Sequence, residues 1–162
     1  MNSIKESIKE LMDNCSGLNI TEDDRVIIFG GDLYKEVYNC PGYYISVDGN
    51  VLGPRGNLIK LEDHYTGYYK VHLRDTKSFV HRLVMLTFRW KEGCEDLVVN
   101  HKDLDKKNNH IDNLEWSSHM ENSRHYQSFS FKEKITEEVK DKIMALPNGF
   151  TREDLDNILE GI

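Results

Sequence analysis

Cysteine is scarce in this chain and unpatterned. Cys15, Cys40 and Cys94 are odd in number and widely spaced, with no CxxC pair. That argues against a disulfide framework and a cysteine-clamped structural zinc, and fits reduced thiols in a cytosolic protein. Apolar residues are also few, at 38%. No apolar run approaches the roughly 18–20 residues that a membrane span requires. The opening MNSIKESIKELMDN is charged and amphipathic and has no signal-peptide core. A cytosolic protein without a membrane partner is therefore expected, elongated rather than thick-cored. Its 162 residues allow one ordinary domain with an appendage. Positive charge is in deficit: 21 Lys and Arg stand against 28 Asp and Glu, net -7. Taken alone, that total speaks against a polyanionic partner.

The distribution of charge reverses this inference. Residues 1–49 carry four basic and nine acidic side chains, and residues 127–162 carry five and eight. Residues 55–91, by contrast, carry eight basic and three acidic. Phosphate contacts are felt only within about 8–10 Å, so local sign outweighs the total.

The pattern of residues predicts mixed α and β structure. Ile4, Ile8, Leu11 and Met12 form one helical stripe over 3–14, with Ser3 as N-cap and Ser16-Gly17 as stop. Val26–Phe29 before Gly30-Gly31 reads as a buried strand or linker. Tyr43–Val47, the turn Asp48-Gly49-Asn50 and Val51-Leu52 predict a hairpin. Leu58–Leu61 leads through Thr66-Gly67 into Tyr68–Leu73, a second hairpin. There Tyr69, Val71 and Leu73 alternate with Lys70, His72 and Arg74, giving a basic outer face. Residues 79–90 read as a short helix with Leu83, Val84, Leu86 and Phe88 inward. Two more helices are expected over 136–162, the first capped by Thr136 and ended by Pro147-Asn148-Gly149. The second starts at the capping-box-like Thr151-Arg152-Glu153-Asp154.

The stretch that carries chemistry runs from Val98 to Asn122. A β-branched run ends in Asn100-His101, a loop rich in Asp, Asn and Lys follows, and Leu114-Glu115-Trp116 leads into a helix from Ser117 or Ser118. Strand, loop, strand, helix can set side chains from two places against each other. Phosphodiester hydrolysis needs a neutral imidazole to take a proton from water, and positive charge on the developing phosphorane. A hard cation with few oxygen ligands supplies that charge. His101, with Asn100 and Asn122 as oxygen donors, matches the need.

VVNHKDLDKKNNHIDNLEWSSHMEN resembles the HNH (ββα-metal) motif of phage and intron-encoded homing endonucleases. PGYYISVDGNVLGPRG and VHRLVMLTF resemble the β-rich DNA-binding region that precedes it, so the likeness covers about 37–126. The resemblance implies an α+β fold: antiparallel β-hairpins, a central ββα-metal motif and a C-terminal helix pair. It divides the chain into 1–36, 37–90, 91–126 and 127–162. It implies His101 as general base, Asn113 as the asparagine bracing the loop, and Asn100 and Asn122 as ligands of one divalent metal, Mg²⁺ or Mn²⁺. Double-stranded DNA would be the substrate, cut to 5′-phosphate and 3′-hydroxyl ends, in a bacterial host cell if the chain is phage-encoded. The Asn100 position is often Asp in related enzymes, and the last motif letter is Asn rather than His.

Other assignments compete. His101, His110, His119 and His125, spaced nine, nine and six, fit no usual zinc pattern. His119 stands three residues before Asn122, where it can touch phosphate or simply be solvated. His81 reads as structural, Asn109 as a turn former and Trp116 as core. Arg55, Lys60, Lys70, Arg74, Lys77 and Arg82, interleaved with tyrosines, form a phosphate-tracking surface or an ordinary solvated face. The C-terminal helices resemble the opening of a helix-turn-helix, yet they are acidic. Two functions stay open: a metal-dependent endonuclease, nicking as one copy or making a double-strand break as a homodimer, and a catalytically weak DNA-binding or regulatory phage protein.

Overall fold

A computed structural model describes residues 4–15, 17–21 and 23–130. The expected Ser3 cap, Ser16, and the helix pair over 136–162 lie outside the described residues. The chain divides into two units, Met1–Ser118 and His119–Ile162. In the second, residues 119–130 are helical.

The first unit is an α+β assembly of antiparallel sheets. Helix α1 (Ile4–Asn14) lays Ile8 and Leu11 on the core. Strands β1 (Val26–Phe29), β2 (Asp32–Glu36), β3 (Tyr44–Ser46) and β4 (Val51–Leu52) form a four-stranded sheet in chain order. Gly30 and Gly31 turn the first hairpin with φ of +64° and +100°. Such two-residue turns need positive φ at both positions. The strand Val26–Phe29 is half-buried at one end and exposed at the other, not buried as expected, because it is the edge of the sheet. Strand β2 pairs with β3 in antiparallel register, Tyr34 opposite Ser46 and Glu36 opposite Tyr44.

Strands β5 (Glu62–Asp63), β6 (Tyr69–Leu73) and β7 (Thr76–Phe79) form a three-stranded sheet. The partner of β6 on the N-terminal side is Glu62–Asp63; the predicted Leu58–Leu61 contributes only a bridge from Leu58 to Leu52. Val71 and Leu73 face inward and His72 outward, as the alternation predicts. Helix α2 (Val80–Phe88) follows directly from β7. Val80, Val84, Met85 and Phe88 are almost completely buried. Leu86 is only half-buried; Met85 takes the inward place expected of it. A short helix buried on most sides owes its stability to packing rather than to propensity. It packs on β3, β6, β7 and the last hairpin, β8 (Val98–His101) with β9 (Leu114–Ser117). The three cysteines are unpaired, with Cys15 and Cys94 buried.

The β3–β4 turn fixes the last hairpin against this helix. Gly49 has φ of +84°, and a Cβ there would lie 2.7 Å from Val80 Cγ1 and 3.0 Å from Asn109 Cβ. Val47 O also accepts from Ile111 N–H at 2.8 Å. Both the backbone conformation and the space exclude a side chain. Gly49→Ala should therefore destabilise the protein by about 2 kcal/mol or more. A urea midpoint equal to that of the wild type would contradict this.

Candidate active site

Strand β8 carries Asn100 and His101 to its end, where both are buried, 5% and 4% exposed. The hairpin register sets Asn100 opposite Glu115 and His101 opposite Leu114. Asn100 Nδ2 donates to Glu115 Oε1 at 2.8 Å. With its amide nitrogen held there, the side chain of Asn100 leaves Oδ1 as its remaining polar atom. An amide oxygen suits a hard cation.

The loop between the strands is built on Asp103 and Asn113. Asn113 Nδ2 donates to Asp103 Oδ1 at 2.8 Å and to Asn108 O at 2.9 Å, while its Oδ1 accepts from Asp103 N–H at 3.1 Å. Asp103 also accepts from Asp105 N–H and Asn108 Nδ2. Burial works against the charge on Asp103, but the side chains of Asn108 and Asn113 and the N–H of Asp105 outweigh it, so its carboxyl stays below the ordinary range. Helix α2 is tied to the same loop from below. Arg89, just past its end, donates to Ile111 O and Leu114 O and pairs with Asp112 at 3.1 Å.

Rings surround His101. Its imidazole lies 5.1 Å from His81, edge to face at 75°, and 5.6 Å from Tyr68. Its Nε2 is buried and has no hydrogen-bond partner, and the same holds for Asn109 Oδ1 and His81 Nδ1. Buried polar atoms are normally paired, and three unpaired ones gather at this imidazole. Burial pushes the His101 pKa down, while the Asn109 amide, Asp103 and Asp105 oppose that shift. No hydrogen bond of ordinary geometry joins His101 Nε2 to Asn109 Oδ1.

The structure thus brings Asn100, His101 and Asn113 into one hairpin. Asn122 and His119 fall in the helical stretch 119–130, which belongs to the second unit. Cys15, His110 and Asp112 hold ligating atoms within 4.8 Å of one another, a grouping of metal-ligand types that sequence reasoning did not bring together. It is already bonded internally: His110 Nδ1 accepts from Asp112 N–H, and Asp112 pairs with Arg89. Glu115, Asn109 and Tyr68 also belong to the site. Only the cross-strand register opposite Asn100 could have pointed to Glu115. Asn109 is 4% exposed and sits against the His101 ring instead of merely turning the chain.

The predicted basic face is mixed. Arg55 and Lys60 are exposed. Lys70 Nζ lies 4.5 Å over the Phe79 ring, and Lys77 pairs with Glu62 at 2.7 Å. Arg74 donates from Nη2 to Pro41 O. The guanidinium of Arg82 donates to Leu97, Cys94 and Glu95 carbonyls and lies over Trp116, so it is committed inside the fold.

Residues 78–124 match the HNH endonuclease family model. This segment is an HNH endonuclease motif. Over 102 residues the chain is 36% identical to an uncharacterized HNH endonuclease, L247, of Acanthamoeba polyphaga mimivirus, covering 58% of this chain and 26% of that protein. A second mimivirus HNH endonuclease, L245, also uncharacterized, is 36% identical over 97 residues, covering 57% and 29%. The chain therefore spans less than a third of the length of these relatives. The solved structure of the HNH homing endonuclease I-HmuI, reported for its DNA binding and cleavage, resembles this one with a TM-score of 0.54 and 28% identity, over 67% of each chain. The homing-type HNH fold expected from sequence is thus present. No helix among the described residues is long and apolar enough to cross a membrane.

His81 gives the site a pH dependence of its own. Burial first, then His101 and Arg82, push its imidazole down to about 3. The unfolded chain accepts a proton near pH 6.5 that the folded chain refuses, so stability falls as pH drops from 6.5 toward 3. This one group should cost about 1 kcal/mol between pH 6.5 and 5.5. Urea titrations at both pH values should show the wild type losing that much more than His81→Gln; parallel losses would refute the assignment.

Proposed function

We propose that the chain is a metal-dependent DNA endonuclease that hydrolyses phosphodiester bonds with His101 as general base. The observation that carries this reading is the buried, unpartnered Nε2 of His101, beside an Asn100 whose amide is anchored on Glu115. Asn100 would offer its amide oxygen to a divalent metal, Mg²⁺ or Mn²⁺; Asn122 is a candidate ligand by its place in the motif alone. When bound, such an ion supplies positive charge to the phosphate and the leaving oxygen. His101, kept neutral by burial, takes the proton of the attacking water at Nε2. Asn113 holds the loop that follows, so the ring meets the water at a fixed place. His81 and Tyr68 close its sides against bulk solvent. Arg55, Lys60, Lys70, Arg74, Lys77 and His119 track phosphates along double-stranded DNA, while Arg82 secures the scaffold beneath them.

A second reading, a DNA-binding regulatory protein with little chemistry, is favoured by one observation: Asn100 is a neutral amide where related enzymes often have a carboxylate, and amides bind Mg²⁺ less tightly. Plasmid nicking in Mg²⁺ or Mn²⁺ separates the two. His101→Ala should cut slower by about 10²- to 10⁴-fold. Equal cutting by both proteins removes His101 as the base. Absence of cutting by the wild type, with plasmid binding intact, favours the regulator.

Glu115→Ala should lower the nicking rate by about 10- to 100-fold and raise the metal concentration needed for half-maximal rate. Glu115 is exposed, so the fold should tolerate the change. A wild-type metal titration in this variant would show that Asn100 needs no anchor. For the basic face, replacing Lys60 and Lys70 by Ala should flatten the dependence of log affinity on log salt by about 0.9 per lost phosphate contact. An unaltered slope would take both lysines off the DNA.

A further inference from the structure

The β5–β6 hairpin turns between His64 and Tyr68, closed by His64 N–H to Tyr68 O at 2.9 Å and Gly67 N–H to His64 O at 2.8 Å. At its tip Tyr65 is 93% exposed, far more than any other large hydrophobic side chain described. The tip itself is held firmly. His64 Nδ1 and Thr66 Oγ1 are 2.7 Å apart, Lys106 Nζ donates to Thr66 O at 3.1 Å, and Lys107 pairs with Asp63 at 2.6 Å. The exposed ring is therefore presented by a braced turn.

The ring is also backed by other rings. Tyr65 leans on His64 at 4.2 Å, and His64 meets Phe79 edge to face at 5.3 Å. Phe79 stacks on His81 at 5.4 Å, and His81 meets His101 at 5.1 Å. An unbroken line of rings thus joins the tip to the proposed general base. The nearest carboxylates on β5 are each neutralised by a lysine, Glu62 by Lys77 and Asp63 by Lys107. Lys106 stands over Tyr68 on the same hairpin. The exposed aromatic therefore sits beside neutralised carboxylates, on the element that walls His101.

We propose that Tyr65 is a stacking residue, placing its ring against an unstacked base of the duplex DNA that is held at the His101 site. The proposal rests on the nuclease reading above, which puts the phosphodiester next to His101. Every base has a π face, so such stacking tolerates any sequence. A side chain wedged between base pairs unstacks them and kinks the duplex, a cost offset by the contacts that the bend allows.

A wedge of this kind unwinds DNA whether or not the strand is cut. The test is relaxation of supercoiled plasmid by a metal-independent topoisomerase in EDTA, with and without the protein, followed by protein removal and gel separation of topoisomers. Wild type should shift the distribution toward negative supercoiling. Tyr65→Ala should abolish the shift and weaken plasmid binding on filters by roughly fivefold or more, with an unchanged thermal melt. Tyr65→Phe should keep both the shift and the affinity. Plasmid binding by wild type without a shift overturns the proposal, as does a shift that survives in Tyr65→Ala; either result leaves the nuclease reading standing. Failure of wild type to bind plasmid at all overturns both.

Discussion

The guanidinium of Arg89 is the point on which the site depends. It stands at the end of α2, where helix carbonyls run out, and donates to Ile111 O and Leu114 O on the far side of the β8–β9 loop. Asp112 completes the contact, and Trp116 Nε1 returns a hydrogen bond to Arg89 O at 2.7 Å. A lysine could not reach two carbonyls and a carboxylate with one planar group. Through these bonds the most buried helix of the unit and the least regular segment of the hairpin become one body. His101 then lies between His81 of α2 and Tyr68, just ahead of β6.

Around this anchor the polar groups divide by role. Those of the loop are saturated: Asp103 and Asn113 exchange donors and acceptors with each other and with Asn108. Those facing His101 are not, although the folded interior ordinarily penalises a buried atom left alone by about 1–3 kcal/mol. A fully satisfied frame around an unsatisfied centre is what a preorganised site requires. The burial that would discourage charge on His101 and His81 keeps both rings neutral, the form in which an imidazole can accept a proton.

Much of this was legible in the residues. Asp48-Gly49-Asn50 and Gly30-Gly31 announce their turns by chemistry that few other residues share, and the alternation in Tyr69–Leu73 shows which face is buried. The sequence of Asn100-His101, Asn113 and Leu114–Trp116 reports the hairpin and its polar loop. What was missed lacks a local signal. Strand β7 was invisible because the turn before it is Arg74-Asp75, without glycine or asparagine. The partnership of Asn100 with Glu115 depends on register, and the burial of Asn109 depends on Gly49 and Val80 closing over it. The commitment of Arg82 to three carbonyls is a tertiary fact: in sequence it is one more cation in a basic stretch.

The Arg74 turn shows how a local cost becomes long-range order. Its φ of +49° is a left-handed conformation that a non-glycine side chain adopts at a penalty of about 1–2 kcal/mol. In that conformation its N–H reaches Tyr43 Oη at 3.1 Å, and its guanidinium reaches Pro41 O at 3.0 Å, both ahead of β3 in the other sheet. A glycine would relieve the backbone but could supply only the first of these bonds. The reversal between β6 and β7 thus doubles as a clasp between the two sheets, and the awkward residue is retained because its side chain does at a distance what an easier one could not.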